Sequence, residues 1–393
     1  MQFLNKLTLF QLAFRPFFIL SACYAIWLLL RWTLTLSGIW VWQSDIGLFA
    51  WHAHEFQFGF AMAVVLGFIM TAAQTWTGQP GIKGAPLIAL VSLWLIARIA
   101  MNLNANTALI AFIADSAVLL IAIFWLARML IKSQNKRNFI FIALFTGFLV
   151  LNCFQFYAII EQLPLLSSRL NFATSWWFVL LISFMSSRVI PFFISKGTNT
   201  EIKREPIVFT IVCQLLIVII FAITLIDPSL DRELAQVLSK ITFGLYALSV
   251  ICHLYRLTIW YTSAIWKNAL LWSLWINYGF LPLAFFALLI FDNYSNAMHL
   301  INVGFIGAMI MTFTARVSLG HTGRKIVASP LVVIALIALV IATLVRGLGS
   351  TLIPVYSAEF TAISAGSWII GLMCFLYYYL PILCQPRVDG KEG

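Results

Sequence analysis

Twelve long apolar runs decide what this chain can fold into. Each run is about 18 to 25 residues, enough for a helix to cross a hydrocarbon core of about 30 Å. In that core every backbone polar group must be satisfied within one helix or around a closed barrel, and these runs are too long and continuous for barrel strands. The spacing predicts approximate spans at 16–37, 51–75, 85–101, 107–130, 138–161, 172–195, 206–226, 234–257, 268–291, 296–318, 329–346 and 357–383. The expected class is all-α: a polytopic membrane protein of about twelve transmembrane helices, a single transmembrane domain over 1–393. Charged residues make up only 9% of the chain, against roughly a quarter in soluble domains, and mean hydropathy is +0.99. The loops are short, so any site is expected inside the bundle or at its rims.

A net charge of +11 suggests a nucleic-acid partner, but its distribution argues against one. Of the 24 Lys and Arg residues, only Arg31, Arg98, Arg169, Arg232, Lys240 and Arg346 fall on the side of the odd-numbered loops. The others, from Lys6 and Arg15 to Arg387 and Lys391, share the side of the termini and even loops. By the positive-inside rule both termini are cytoplasmic, and the basicity is a topology signal rather than a nucleic-acid patch. Lys6 and Arg15 precede a full-length span with no small-residue cleavage site, so a cleaved signal is not expected. Six cysteines form neither CxxC nor CxxCH, which argues against disulfides and covalently attached haem.

A repeat runs through the helices. His54, Gly59-Phe60 and Thr77-Gly78 return as His299, Gly304-Phe305 and Thr322-Gly323, each 245 residues later. Pro86 and Pro330 open the following spans, and Arg98 and Arg346 close them. Phe184-Met185-Ser186-Ser187-Arg188-Val189 in span 6 echoes Phe313-Thr314-Ala315-Arg316-Val317 in span 10, off by one at the Phe. These echoes suggest three units of four helices, 1–137, 138–267 and 268–393. Transporters also contain repeats, so the pattern does not choose a function.

All five histidines lie on even-numbered spans or their ends: His52, His54 and His299 at the outer ends, His253 and His321 at the inner ends. Histidine is the commonest transition-metal ligand, and a group of His, Glu55 and Gln57 among apolar walls suits haem or copper. At about 100° per residue, His52 and His54 point about 200° apart and do not serve one ion easily. His54 and His299 occupy equivalent repeat positions and suit the two axial ligands of one haem. Gly59 and Gly304, five residues on, leave room for a flat macrocycle. His52, sharing a face with Glu55, Gly59 and Met62, suits a second site such as copper. The competing reading makes these histidines polar tips at the membrane interface. His253, beside Cys252 and Arg256, is expected to be structural, and His321 lies in a Gly-rich turn that explains the glycines but not the imidazole. Asp115, inside span 4, is a functional candidate or a hydrogen-bonding group to a neighbouring helix. Arg15, Arg188, Arg316 and Arg324 could hold haem propionates, or simply enforce topology. Pro191 is expected to end or kink span 6.

Several segments resemble the NnrS family: Trp51-His52-Ala53-His54-Glu55 with Phe58-Gly59-Phe60, Arg188-Val189-Ile190-Pro191, and Arg316-Val317-Ser318-Leu319-Gly320-His321-Thr322-Gly323-Arg324. Phe14-Arg15-Pro16-Phe17 and Pro386-Arg387-Val388-Asp389-Gly390 extend the likeness over essentially the whole chain. The resemblance implies a bacterial inner-membrane protein carrying non-covalent haem b and copper and protecting cells against nitric oxide. The residue-level candidates stand beside it: His52, His54, Glu55, His299 and His321 for a metal, and His52, His54, His299, His321, Arg316 and Arg324 for the cofactor. One departure is Trp275, where relatives often carry His in a W-x-L-H-x-G-Y stretch. Twelve helices in three units of four also resemble haem-copper oxidase catalytic subunits, but the run of copper-ligand histidines in spans 6 and 7 is absent. The expected function is binding or detoxification of nitric oxide or its iron-nitrosyl products, with a nitric-oxide-metabolising oxidoreductase as its enzymatic form. The alternatives are a membrane transporter, or a haem electron-transfer protein without its own substrate.

Overall fold

The computed structural model describes residues 7–390 apart from Pro228 and Leu230. Lys6 and Lys391, both counted in the charge asymmetry, lie outside the described residues. Among the described residues twelve helices are long and apolar enough to cross a bilayer, and no strand occurs. They are α1 (Phe14–Leu36), α2 (Leu48–Thr77), α3 (Ala85–Leu103), α4 (Ala108–Lys132), α5 (Lys136–Ile160), α6 (Pro164–Thr198), α7 (Ile207–Leu225), α8 (Arg232–Trp260), α9 (Ala269–Ile290), α10 (Tyr294–His321), α11 (Pro330–Leu352) and α12 (Pro354–Cys384). Each expected span finds its helix.

Local chemistry sets the helix ends. Asp231, Asn268, Asn293 and Ser329 accept backbone N–H groups of the first turns of α8, α9, α10 and α11, satisfying donors that no helical carbonyl reaches. Pro330 opens α11, where its missing N–H costs nothing. Pro191 does not end α6, which runs seven residues further to Thr198.

By internal contacts the chain forms two compact units. Unit 1 is Met1–Thr174, Arg316–Lys325 and Phe375–Gly393, and unit 2 is Ser175–Ala315 and Ile326–Cys374. These boundaries differ from those of 1–137, 138–267 and 268–393, which describe sequence repeats rather than compactness.

The most enclosed helices are α2 and α10, buried over 78% and 89% of their apolar stretch against 22% for α8. These two carry the clearest sequence repeat, and they share two local irregularities. Both change to a π-helical path immediately after the repeated histidine, over Glu55–Ala61 in α2 and Leu300–Ala308 in α10. Both are followed by a left-handed glycine at the repeated Thr-Gly, Gly78 at φ +64° and Gly323 at φ +73°. Only glycine adopts that conformation without a Cβ penalty. π-helical turns are rare and concentrate at functional sites, so the repeat marks the elements that position the candidate site.

Candidate functional site

In unit 1, His54 is the last residue before the π segment of α2 and is fully buried. Its Nδ1 lies 2.9 Å from Glu55 Oε1. Its Nε2 lies 3.3 Å from Asn152 Oδ1 and 3.9 Å from Asp115 Oδ2. Arg98 from α3 bridges the two acids, donating from Nη1 to Glu55 and from Nη2 to Asp115. The Tyr24 hydroxyl donates to Glu55 Oε2 and accepts from Asn102 Nδ2 at 2.8 Å. Glu55, Arg98 and Asp115 are each no more than 3% exposed. A buried charge must be paired and hydrogen-bonded. Here two carboxylates share one guanidinium, and the His54 ring lies between them.

The π segment contributes directly. Its irregular path leaves the Gly59 carbonyl to accept the Trp94 indole N–H at 3.1 Å. A Cβ on Gly59 would meet Tyr24 Cε1 at 2.6 Å and Arg98 Nη1 at 2.9 Å. Gly59 therefore makes room for the network, and the space expected for a macrocycle is filled by protein. Gly304 behaves alike, since a Cβ there would meet Phe280 Cδ2 at 2.7 Å.

The other expected residues lie apart from this network. His52 is half-buried and stacks on Trp32 at 3.8 Å between ring centroids. In unit 2, His299 is half-buried and donates from Nδ1 to the Ser295 carbonyl at 2.6 Å. His321 packs on Phe14 in unit 1, with ring centroids 5.6 Å apart, and its carbonyl accepts Arg387 Nη1 at 2.9 Å. Arg324 donates to Gln385 Oε1 at 3.2 Å, and Arg316 is buried. Arg15 Nη1 donates to the carbonyls of Leu383 and Gln385 at 2.7 and 2.8 Å. Three conspicuous segments far apart in sequence, around Arg15, His321 and Arg387, thus meet at one rim of unit 1. Among the described residues no three His, Cys, Asp or Glu side chains gather as they would around a metal ion.

Unit 2 holds a second buried network, which sequence reasoning missed. Glu205 receives Arg256 in a two-pronged pair, Nε to Oε2 and Nη2 to Oε1, both at 2.7 Å. Arg256 Nη1 also donates to the Tyr278 hydroxyl at 2.7 Å and to Ser183 Oγ at 3.0 Å. His253 Nδ1 lies 2.8 Å from the same hydroxyl. Arg256 entered the reading as a topology charge and as a neighbour of His253, yet it is fully buried. The available signal was His253 and Arg256 three apart on an apolar helix, which puts them on one face. Trp275 stands aside, donating to the Leu257 carbonyl at 3.0 Å and packing on Tyr261 and Trp266.

The family model described as NnrS protein matches residues 8–387, nearly the whole chain. The chain belongs to the NnrS family. No curated protein matches it. Every segment that carried the sequence resemblance except the last three residues of Pro386–Gly390 falls within the NnrS match. NnrS membership fits a role in nitric oxide resistance.

Proposed function

We propose that this is a haem-containing bacterial inner-membrane protein that binds or turns over nitric oxide or its iron-nitrosyl products, with both termini in the cytoplasm. The observation that carries the reading is the family match over 8–387. When bound, ferrous haem supplies an open or displaceable position that takes nitric oxide directly.

The histidines differ in how they suit haem iron. A ligand must offer a lone pair, and both ring nitrogens of His54 already face oxygens of Glu55, Asn152 and Asp115. His54 does not fit an axial role in this arrangement. His299 remains a candidate on the other unit, its Nδ1–H held by the Ser295 carbonyl, the kind of hydrogen bond that orients a ligating imidazole. Copper does not fit as a bare ion, which needs three or four protein donors, and no such set gathers among the described residues. No step is derived through it.

The test is an absorption spectrum of the purified full chain, reduced with dithionite and titrated with nitric oxide. Haem bands that shift on addition of the gas are expected, and a chain isolated without haem from haem-replete cells would sink the reading. A second reading rests on the Glu55–Arg98–Asp115–His54 network, since buried ionisable groups also mark transport paths. Asp115 and His54 belong to one network, so comparing their variants does not separate transport from haem chemistry. Haem content does.

A further inference from the structure

The rim of unit 1 where Arg15, His321 and Arg387 meet gathers more positive charge than its acids answer. Arg15 Nη1 donates to the carbonyls of Leu383 and Gln385, and Arg324 Nη2 donates to Gln385 Oε1 at 3.2 Å. Two guanidinium groups are thus held on one neutral residue. Arg324 and Arg387 both lie close enough to repel the Arg15 charge. Lys325 is exposed beside Arg324, and the loop carrying Lys83 joins the rim through Gly84 N–H, which donates to the Phe10 carbonyl at 2.9 Å. Asp389 is the acid at this rim among the described residues, and Arg387 engages both of its oxygens, at 2.9 and 2.6 Å. The other described acids of unit 1 lie elsewhere. Glu55 and Asp115 belong to the buried network, and Asp45 and Glu161 follow the far ends of α1 and α5.

Arg324 shows what the surplus is held for. Its Nη1 is buried without a hydrogen-bond partner, and its Nη2 rests on the amide of an exposed glutamine at the long end of hydrogen-bond range. That amide turns away easily when a stronger acceptor arrives. A guanidinium fork left half-used among other cations suits an oxyanion that accepts two parallel N–H bonds, as a phosphate group does. The place narrows the source of that phosphate. The ends of α1, α10 and α12 lie at the level where headgroups meet the bundle, and basic pockets there take anionic lipids.

We propose that Arg324 binds the phosphate of an anionic phospholipid in the leaflet that the chain's ends face. Lys325, Arg15 and Arg387 supply the surrounding positive potential. The assignment is independent of the haem reading, and a chain purified without haem tests it equally well.

The experiment uses the full chain, delipidated in a neutral detergent, with native mass spectrometry counting retained lipids and a melting curve recorded beside it. Phosphatidylglycerol is expected to bind at one site per chain and raise the melting temperature, whereas phosphatidylcholine is not. Arg324→Gln with Lys325→Gln is expected to bind phosphatidylglycerol roughly thirtyfold more weakly, the worth of two basic side chains beside an anionic headgroup. Lys203→Gln with Arg204→Gln removes the same charge from the exposed α6–α7 connection and is expected to leave the affinity unchanged. Equal affinity in the Arg324 variant, or an equal loss in both variants, overturns the site and leaves only general attraction to an anionic surface. Inorganic phosphate that stabilises the chain as much as the lipid does overturns the lipid assignment in favour of a soluble phosphate ligand. If the Arg324 double variant does not accumulate, Arg324→Lys keeps the charge and loses the fork. Weakened binding there supports the site, and wild-type affinity overturns it.

Discussion

At the scale of single residues, Arg98 is the most exposed to test. Its guanidinium is the one Arg or Lys group bonded to both Glu55 and Asp115 among the described residues. Arg98→Met leaves two carboxylates facing each other in an apolar interior. Breaking a buried pair by removing one partner costs about 3–5 kcal/mol, so the detergent-solubilised variant should melt well below wild type. Adding Glu55→Gln and Asp115→Asn to Arg98→Met should recover part of the loss, because the uncompensated charges are gone. A triple variant no more stable than Arg98→Met would show that shape, not charge, holds this site. His54, Glu55 and Asp115 were legible in the sequence because acids and histidines are rare in apolar spans. Their assembly was not, because it depends on Arg98 from α3, Tyr24 from α1 and Asn152 from α5 converging on α2. Glu205, Arg256 and Tyr278 were harder still. Glu205 sits beside Pro206 in a connection and reads as a loop charge, and only tertiary packing carries it to Arg256.

Among the elements, α2 and α10 show what a repeat can and cannot reveal. The shared His, Gly-Phe and Thr-Gly positions were visible as an offset, and Gly323 followed from turn chemistry. The π segments were not predictable, because an i→i+5 turn leaves no residue signature and an α-helical wheel misplaces side chains along it. The angular argument separating His52 from His54 survives only because both precede the π segment. Another element-level device is the rim where α1, α10 and the residues after α12 meet. Arg15 holds the carbonyls of Leu383 and Gln385, Arg387 holds that of His321, and Val388 N–H donates to Thr322. Arg15→Ala removes the clamp at the C-terminal end of α12, where unpaired carbonyls need a donor. Trypsin should then cleave at Arg387 markedly faster than in wild type under native conditions, as seen by mass spectrometry of the released tail. Unchanged cleavage would mean that Arg387 and Asp389, paired at 2.6 Å, hold the segment by themselves.

For the whole molecule, the twelve spans were the most legible feature, because length and apolarity alone satisfy the bilayer's demand on backbone hydrogen bonds. Sidedness was read from Lys and Arg, and the structure refines that count. Arg15, Arg31, Arg98 and Arg256 are buried in hydrogen-bonded positions, so they hold the fold as well as marking a side. The loop charges, Lys132, Lys136, Arg137, Lys203 and Arg204, still favour the side of the termini. A separate constraint bears on the same point. Arg15, at the start of α1, bonds the carbonyls of Leu383 and Gln385 at the end of α12, which requires both ends of the chain to share one face of the membrane. An even number of spans requires it too. Reporter fusions after Gly390 and within 133–137 are therefore expected to be active as cytoplasmic reporters, while fusions within 37–47 should report the periplasm. Both positive sites turning out periplasmic would invert the charge reading but keep the fold, whereas a split between them would contradict the Arg15 contact and the twelve-helix topology together.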